Sequence, residues 1–336
     1  MDISLDPSDE PAHECHVLFS EDSQPDAASR RQIEDHSKPA RKSPERAPAV
    51  LRADFKARRR IFPELVPLRR RGSLMCADRE DEPLRMYCFA HAGAGVSAFG
   101  GWPSALGAGV VRVPVLLPGR DVRRREKRST DRRTLLIDLL RTVGRPPGSP
   151  YMLYGHSLGG LIAYTVARAL EEAGLNPPAL VAVGACPPPD AAAAIPAGAH
   201  LPDCELVALL DRLGSVPAGA PADGLWARST LPVLRDDLRL AQALRAAADR
   251  PVRAPLLIVS GRDDPFVTPR LMSGWQRWTS SVAVRRTLPG DHFFVRGREL
   301  PRLLGRACRV VRRTTGRPPG PSPVTSPETA SERIGQ

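Results

Sequence analysis

One turn near the middle of the chain constrains its fold more than any other segment. The apolar residues 151–154 predict a strand, and the run 158–173 predicts a helix. Between them stands Gly155-His-Ser157-Leu-Gly159, which matches the pattern G-x-S-x-G. The glycines lack the Cβ atoms that would clash in so tight a turn. The segment therefore predicts a turn that exposes the Ser157 hydroxyl at a sheet edge, with an ordinary helix N-cap at Ser157 as the alternative.

Two later segments favour a catalytic role for this serine. One apolar predicted strand runs into an acidic turn with Asp263 and Asp264, and another runs into a turn with His292. In serine hydrolases of the α/β type the chain order is serine, acid, histidine. A serine hydroxyl needs a base, and that base needs an orienting acid. We therefore expect Ser157 to be the nucleophile, His292 the base and Asp264 the acid.

The choice among the acids and the histidines rests on position. Asp264 is preferred to its neighbour Asp263 because it stands three residues after Gly261, the usual place of the acid in this turn. His156 flanks the nucleophile and is expected to point away from it, whereas His91 lies in the loop after the first predicted strand. The other histidines lie in a later insert or in the N-terminal segment: His200, His13, His16 and His36.

An acyl-transfer reaction also needs two N–H donors for the oxyanion that develops. Leu158, which follows the nucleophile, is expected to supply one. The loop Phe89-Ala-His-Ala-Gly-Ala-Gly95 is expected to supply the other, because its small residues let the backbone approach a carbonyl. Ala92 is the preferred donor and Gly93 the alternative. The loop lacks the spacing G-x-G-x-x-G, so a glycine-rich turn without a ligand is the remaining interpretation, not a dinucleotide site.

Strand and helix patterns alternate, which predicts an α/β-hydrolase fold with a mostly parallel central sheet flanked by helices. The predicted strands are 85–89, 110–116, 151–154, 180–183, 256–260 and 282–288, and the predicted helices are 135–143, 158–173, 269–278 and 300–312. An insert at about 187–250 interrupts the alternation with two amphipathic segments, 203–213 and 233–247. Its position predicts a lid, and two ordinary packing helices are the alternative.

The ends of the chain differ in composition from its centre. Residues 1–80 are rich in Pro, Ser, Glu and Arg, which predicts a largely disordered basic extension with a short piece at 61–68 that can pack on the domain. Residues 314–336 are predicted to be a disordered tail. The folded domain is therefore expected at 81–313.

Charge and cysteine usage limit the partners and the compartment. The net charge of +12 predicts a solvated basic surface, with attraction to an acidic protein as the alternative. Neither nucleic acid nor a membrane is an expected partner, because no nucleic-acid motif and no membrane-spanning apolar run occur. The six cysteines lack metal-like spacing, which predicts reduced thiols in the cytoplasm and no metal site. The polar N-terminus does not have the pattern of a secretory signal.

Several segments together resemble type II thioesterases, the free-standing editing hydrolases that accompany polyketide synthases and nonribosomal peptide synthetases. The resemblance covers about residues 84–312. The family's first loop, C-F-P-H-A-G-G, resembles Cys88-Phe-Ala-His-Ala-Gly93, and its signature P-G-R-x-x-R-x-x-E matches Pro118-Gly-Arg-Asp-Val-Arg-Arg-Arg-Glu126. Its elbow, G-H-S-x-G, matches Gly155-His-Ser-Leu-Gly159. Its two lid segments, L-P-D-x-E-L and L-P-x-L-R-x-D, match Leu201-Pro-Asp-Cys-Glu-Leu206 and Leu231-Pro-Val-Leu-Arg-Asp-Asp237. Ala90, Ala94 and Gly160 depart from the family's usual proline, glycine and alanine.

The resemblance implies that the substrate is an acyl group on the phosphopantetheine arm of an acyl or peptidyl carrier protein. It implies an acyl-Ser157 intermediate, no cofactor and no metal. A general carboxylesterase or acyltransferase of the same fold is one alternative, and a non-catalytic carrier-docking protein is another. An intact triad argues against the docking protein, which has no need of all three residues.

Overall fold

The computed structural model describes residues 83–102, 106, 109–143, 150–191, 198–216, 221 and 224–315. The predicted N-terminal extension, including the piece at 61–68, therefore lies outside the described residues. So does the predicted C-terminal tail, apart from Thr314 and Thr315, which belong to the last helix.

Within these described ranges, six strands form one parallel sheet: β1 (Leu84–Phe89), β2 (Val110–Pro114), β3 (Tyr151–His156), β4 (Leu180–Gly184), β5 (Leu256–Gly261) and β6 (Ala283–Leu288). Their order is β2-β1-β3-β4-β5-β6. The chain moves to one side of β1 to form β2 and then to the other side to form β3. At such a reversal the loops after β1 and β3 separate, and open α/β sheets place their ligand sites in the crevice between them.

The α-helices among the described residues are α1 (Arg132–Val143), α2 (Leu158–Glu172), α3 (Asp203–Arg212), α4 (Leu225–Ala246), α5 (Pro269–Met272) and α6 (Glu299–Thr315), of which α3 and α4 belong to the insert. Helix α2 packs on β1, β3 and β4 and is buried from Leu158 to Glu171. Its residues are almost all small or apolar, which suits a helix with partners on most sides.

The core has two layers because successive side chains of each strand point to opposite faces. Tyr151 and Leu153 of β3 join the α2-side core, which also holds residues of α1 and α2. Met152 and Tyr154 join the α6-side core, which holds Leu304 and other residues of α6. Strands β3 and β5 are buried throughout, as expected for parallel strands that are covered on both faces.

A third, smaller cluster holds the insert together, and we call it the insert cluster. It consists of Leu206 and Leu210 of α3 and Ala227, Leu231 and Leu234 of α4. Burying a leucine stabilises a fold by about 1.5–3 kcal/mol, so these contacts are enough to hold α3 and α4 against each other.

The predicted strands all occur, but some helix boundaries were wrong. The second amphipathic segment of the insert was expected at 233–247, yet α4 begins at Leu225 and continues through Pro232, although proline usually disrupts a helix. Proline has no N–H, so the carbonyl four residues earlier in the helix lacks its donor. Pro232 is exposed, so water can reach that carbonyl instead. The predicted helix 269–278 is α5 followed by a 3₁₀ helix, Ser273–Trp278. Strand β2 ends at Pro114, two residues before the expected end.

Candidate active site

Ser157 occupies a strained turn between β3 and α2. Its backbone has φ 54° and ψ −119°, a region that costs a non-glycine residue on the order of 1–3 kcal/mol. Two hydrogen bonds of 2.8 Å hold the turn: the Ser157 N–H donates to the Gly184 carbonyl, and the Ser157 carbonyl accepts from the Gly160 N–H. The Ser157 side chain makes no capping hydrogen bond. An ordinary N-cap therefore does not account for this serine.

The flanking glycines are required by close backbone approach. A Cβ at Gly155 would lie 1.8 Å from the Gly159 carbonyl oxygen, and a Cβ at Gly159 would lie 2.1 Å from the Phe89 carbonyl oxygen. These contacts bring the start of α2 against the end of β1. Gly160, where the resembled family usually has alanine, faces Cys186, whose Cβ would lie 2.7 Å from an added Cβ.

His292 and Asp264 come together after β6 and β5. Asp264 Oδ2 lies 2.8 Å from His292 Nδ1, and Asp264 Oδ1 accepts from the N–H groups of Phe266 at 3.0 Å and Val267 at 2.9 Å. Burial alone would raise the pKa of Asp264, but its hydrogen bonds to His292 and to the two N–H groups lower the pKa overall. An ionised carboxylate only accepts, so Nδ1 carries the proton and Nε2 is left as a base.

Asp263 has a different role in the same turn. Its Oδ2 accepts from the Gly290 N–H at 3.3 Å, and its own N–H donates to the Gly290 carbonyl at 3.0 Å. Asp263 therefore supports the turn that leads to His292, whereas Asp264 contacts the imidazole.

His156 connects the serine turn to the histidine loop, a role that the sequence analysis did not assign. Its Nε2 donates to the His292 carbonyl at 2.8 Å, so its Nδ1 accepts from the Tyr154 hydroxyl at 3.0 Å. The His156 and His292 rings lie 5.7 Å apart. Burial, with the nearby His292, lowers the pKa of His156 far below its usual value. A neutral His156 therefore braces the His292 backbone from the residue next to Ser157.

His91 also faces this region and is neutral. Its ring lies 5.0 Å from the Phe293 ring, and its buried Nδ1 has no hydrogen-bond partner among the described residues. Burial, with the nearby His292, lowers the pKa of His91 to about 3. His91 therefore carries no charge at neutral pH.

The loop after β1 contains the two candidates for the second oxyanion donor, the N–H groups of Ala92 and Gly93, and only one of them is free. Gly93 has φ +78°, and its N–H donates to Asp237 Oδ2 of α4 at 2.6 Å. The Ala92 N–H has no hydrogen-bond acceptor within the described ranges. Leu158 is the first residue of α2, where an N–H has no acceptor inside its own helix. Ala92 and Leu158 therefore leave their donors available, whereas Gly93 does not.

The described part of the chain offers neither a membrane span nor a metal site. No helix there combines the length and apolar character needed to cross a bilayer. Across the same ranges, no group of three or more His, Cys, Asp or Glu side chains could hold a metal ion. The four cysteines that are described, Cys88, Cys186, Cys204 and Cys308, are free thiols.

The chain belongs to the thioesterase family. The family model described as "Thioesterase domain" matches residues 84–308, more than half of the chain. A probable cadicidin biosynthesis thioesterase from Streptomyces griseus is 31% identical over 218 residues, which span 64% of this chain but only 59% of that relative.

Two solved structures place the chain more closely within this family. The thioesterase RedJ of prodiginine biosynthesis in Streptomyces coelicolor is 33% identical, with a TM-score of 0.60 over 69% of this chain and 96% of that one. The type II thioesterase BorB of the borrelidin cluster is 29% identical, with a TM-score of 0.59 over 68% of this chain and 93% of that one. The resemblance to type II thioesterases and the α/β-hydrolase fold are both confirmed.

Proposed function

We propose that this chain is a serine thioesterase that hydrolyses acyl groups from the phosphopantetheine thiol of acyl or peptidyl carrier proteins. Such hydrolysis is an editing step in polyketide or nonribosomal peptide biosynthesis. Ser157, His292 and Asp264 form the catalytic triad of the proposal. The observation that carries the proposal is the 2.8 Å contact between Asp264 Oδ2 and His292 Nδ1. His156, the residue before Ser157, holds the loop of His292 in place by donating to the His292 carbonyl.

Acylation follows from the proton positions at the site. His292 Nε2 takes the Ser157 proton while Oγ attacks the thioester carbonyl carbon, and Asp264 stabilises the imidazolium. The carbonyl oxygen becomes an oxyanion that accepts hydrogen bonds from the N–H groups of Ala92 and Leu158. When the tetrahedral intermediate collapses, the C–S bond breaks and the pantetheine sulfur leaves as a thiolate, which then takes the proton from the His292 imidazolium to become the thiol, so that Nε2 is again a base. A thiolate is a good leaving group, so this step needs little help from a general acid.

Deacylation uses the same groups a second time. His292 Nε2 takes a proton from water, whose oxygen attacks the acyl-Ser157 ester carbonyl. The oxyanion returns to the same two N–H donors. The C–O bond to Ser157 then breaks, Oγ recovers its proton from His292, and the acid product leaves. The balanced reaction consumes one water and needs neither a metal nor a cofactor.

A basic groove on α4 supports a carrier protein as the substrate. The groove has a volume of about 710 Å³, and its charged lining consists of Arg128, Arg228, Arg235, Arg239, Asp203 and Asp236. Arg128 and Arg239 pair with Asp236, and Arg235 pairs with Asp203. Arg228 is exposed and has no ion-pair partner within the described ranges. The lining thus has an excess of positive charge, which suits an acidic carrier surface or the phosphate of its arm.

The groove and the proposed oxyanion loop share one structural support. Ala227 and Leu231 of the insert cluster line the groove, and Ala92 packs against that cluster. The insert at 187–250 is the lid of the proposal, and it opens to admit a carrier-bound acyl chain.

The sequence supports a cytoplasmic location, because its cysteines lack the pattern of a disulfide framework.

A comparison of three substrates with one acyl group tests the proposal. We expect the kcat/KM for an acyl carrier protein to exceed that for acyl-pantetheine, and both to exceed that for the matching oxygen ester. A preference for the oxygen ester would instead indicate a carboxylesterase. Transfer of the acyl group to an added alcohol or amine in place of water would indicate an acyltransferase. Carrier binding without turnover would indicate a docking protein.

A further inference from the structure

A buried ion pair connects the insert to the loop that carries the proposed oxyanion donor Ala92. Arg120, which follows Gly119 in the P-G-R turn, is 8% exposed, and Asp237 of α4 is 2% exposed. One Arg120 Nη donates to Asp237 Oδ1, and the other donates to the Ala94 carbonyl. Burying two charges costs several kcal/mol, so the pair needs further hydrogen bonds to be favourable.

The remaining acceptor of this pair holds the loop itself. Asp237 Oδ2 accepts from the Gly93 N–H at 2.6 Å, so the residue after Ala92 is fixed from α4. The Ala94 N–H closes the loop by donating to the His91 carbonyl at 3.1 Å. Arg120 and Asp237 therefore hold the peptide groups on the C-terminal side of Ala92, and nothing in this arrangement uses the Ala92 N–H.

We propose that Arg120 and Asp237 are positioning residues, which hold the loop of residues 91–95 so that the Ala92 N–H points at the oxyanion. This inference rests on the proposed function. It also makes the oxyanion site depend on the insert, because Asp237 lies on α4. A movement of α4 away from the sheet would break the Gly93 contact and remove one oxyanion donor.

The substitution Asp237→Asn tests this role with little change of shape. A carboxylate accepts on both oxygens, whereas an amide accepts on only one side. In either orientation the amide NH₂ therefore faces a donor, either the Gly93 N–H or the Arg120 guanidinium. Burial raises the pKa of Asp237 to about 6, while Arg120 and the Gly93 N–H favour its ionised form. The assay belongs at pH 8, where Asp237 is ionised in the wild-type protein.

Two inhibitors separate the oxyanion site from ordinary binding. A pantetheine trifluoromethyl ketone forms a tetrahedral adduct with Ser157 and needs the oxyanion donors, whereas the amide analogue of the acyl thioester does not. Removing one oxyanion donor outright costs about 10²–10³ in kcat, so we expect displacing it to lower kcat about 10- to 100-fold. The ketone should lose affinity by a similar factor, and the amide analogue should bind within about threefold of wild type.

The substitution Glu299→Gln on α6 is the control. It makes the same carboxylate-to-amide change at an arginine-paired carboxylate, with Glu299 Oε1 2.8 Å from Arg302 Nη1, outside the insert and outside the loop of residues 91–95. We expect this variant to retain wild-type kcat and ketone affinity. Where Asp237→Asn fails to fold, Asp237→Glu keeps the partner of Arg120 charged and displaces the carboxylate by one methylene. It should show the same selective loss.

Failure of this inference differs from failure of the proposed function. The inference is wrong where a folded Asp237 variant keeps kcat within twofold of wild type, or where ketone and amide affinities fall together. In those cases the wild-type protein still hydrolyses acyl-pantetheine and still forms the ketone adduct. A wild-type protein that does neither overturns the proposed function, and the positioning role with it.

Discussion

The substitution Asp264→Asn should nearly abolish turnover while leaving the fold intact. Asp264 Oδ1 accepts from two backbone N–H groups at 3.0 and 2.9 Å, so the amide oxygen of asparagine must take that side. The amide NH₂ then faces His292 Nδ1, which has to become an acceptor. Its proton moves to Nε2, and the imidazole can no longer take a proton from Ser157.

The expected loss follows from this change of tautomer. The same substitution in a serine protease triad lowers kcat about 10⁴-fold. A factor of 10⁴ corresponds to about 5.5 kcal/mol of lost transition-state stabilisation. The assay is steady-state hydrolysis of acyl-pantetheine, with the rate of labelling of Ser157 by a fluorophosphonate as a second readout. Both rates should fall, whereas the melting temperature should change little because the side chains have nearly the same shape.

Asp263→Asn is the control, since it makes the same change one residue earlier. Asp263 accepts from the Gly290 N–H at 3.3 Å and does not contact the imidazole, and an asparagine oxygen can keep that bond. We expect its kcat to stay within about threefold of wild type. A larger loss from Asp263→Asn than from Asp264→Asn would refute this assignment of the acid.

Three further changes test the turn, the groove and the lid. Gly159→Ala places a Cβ 2.1 Å from the Phe89 carbonyl oxygen, so it should cost about 3 kcal/mol or more and lower the melting temperature by about 6–12 °C. Gly101→Ala, where an added Cβ has no neighbour within 4 Å, should change the melting temperature little, and equal effects in calorimetry would contradict the argument. Arg228→Glu should raise the KM for acyl carrier protein about tenfold and leave the KM for acyl-pantetheine unchanged. The control Arg306→Glu on α6 should change neither KM. Equal increases in KM for the two substrates after Arg228→Glu would mean that the groove does not bind the carrier. Leu209 is half-buried on α3 and packs against the α6-side core. Leu209→Trp should change the preferred acyl chain length without slowing the labelling of Ser157 by a fluorophosphonate. If hydrolysis of short and long acyl groups fell equally and labelling fell in parallel, Leu209 would be an ordinary core residue.

The inner strands of the sheet were predictable because they are covered on both faces and appear in the sequence as short apolar runs. The edge strands β2 and β6 are more exposed, yet all six strands begin within one residue of their predicted start. The start of α4 was not predictable, because proline inside a helix is tolerated only where solvent or a side chain compensates for the missing hydrogen bond. That compensation depends on Pro232 lying on the exposed side of α4.

The contacts around the site were harder to predict than its principal residues. Ser157, Asp264 and His292 each follow a strand, so their chain order alone indicated a common sheet edge. The pairing of Arg120 with Asp237 joins residues 117 positions apart, and no local pattern indicates such a contact. Their occurrence in two segments of family resemblance was the only available signal. The role of His156 depends on the rotamer of Tyr154 and on the position of the His292 carbonyl, which a sequence does not specify.

Trapping the acyl-enzyme shows which residue carries the acyl group during turnover. The protein is mixed with an acyl carrier protein, quenched in acid within milliseconds to seconds, digested and analysed by mass spectrometry. We expect an acyl adduct on the peptide that contains Ser157, which disappears as the free acid accumulates. We also expect Ser157→Ala to form no adduct and to release no acid above background. An adduct on another residue, or undiminished hydrolysis by Ser157→Ala, would show that Ser157 is not the nucleophile.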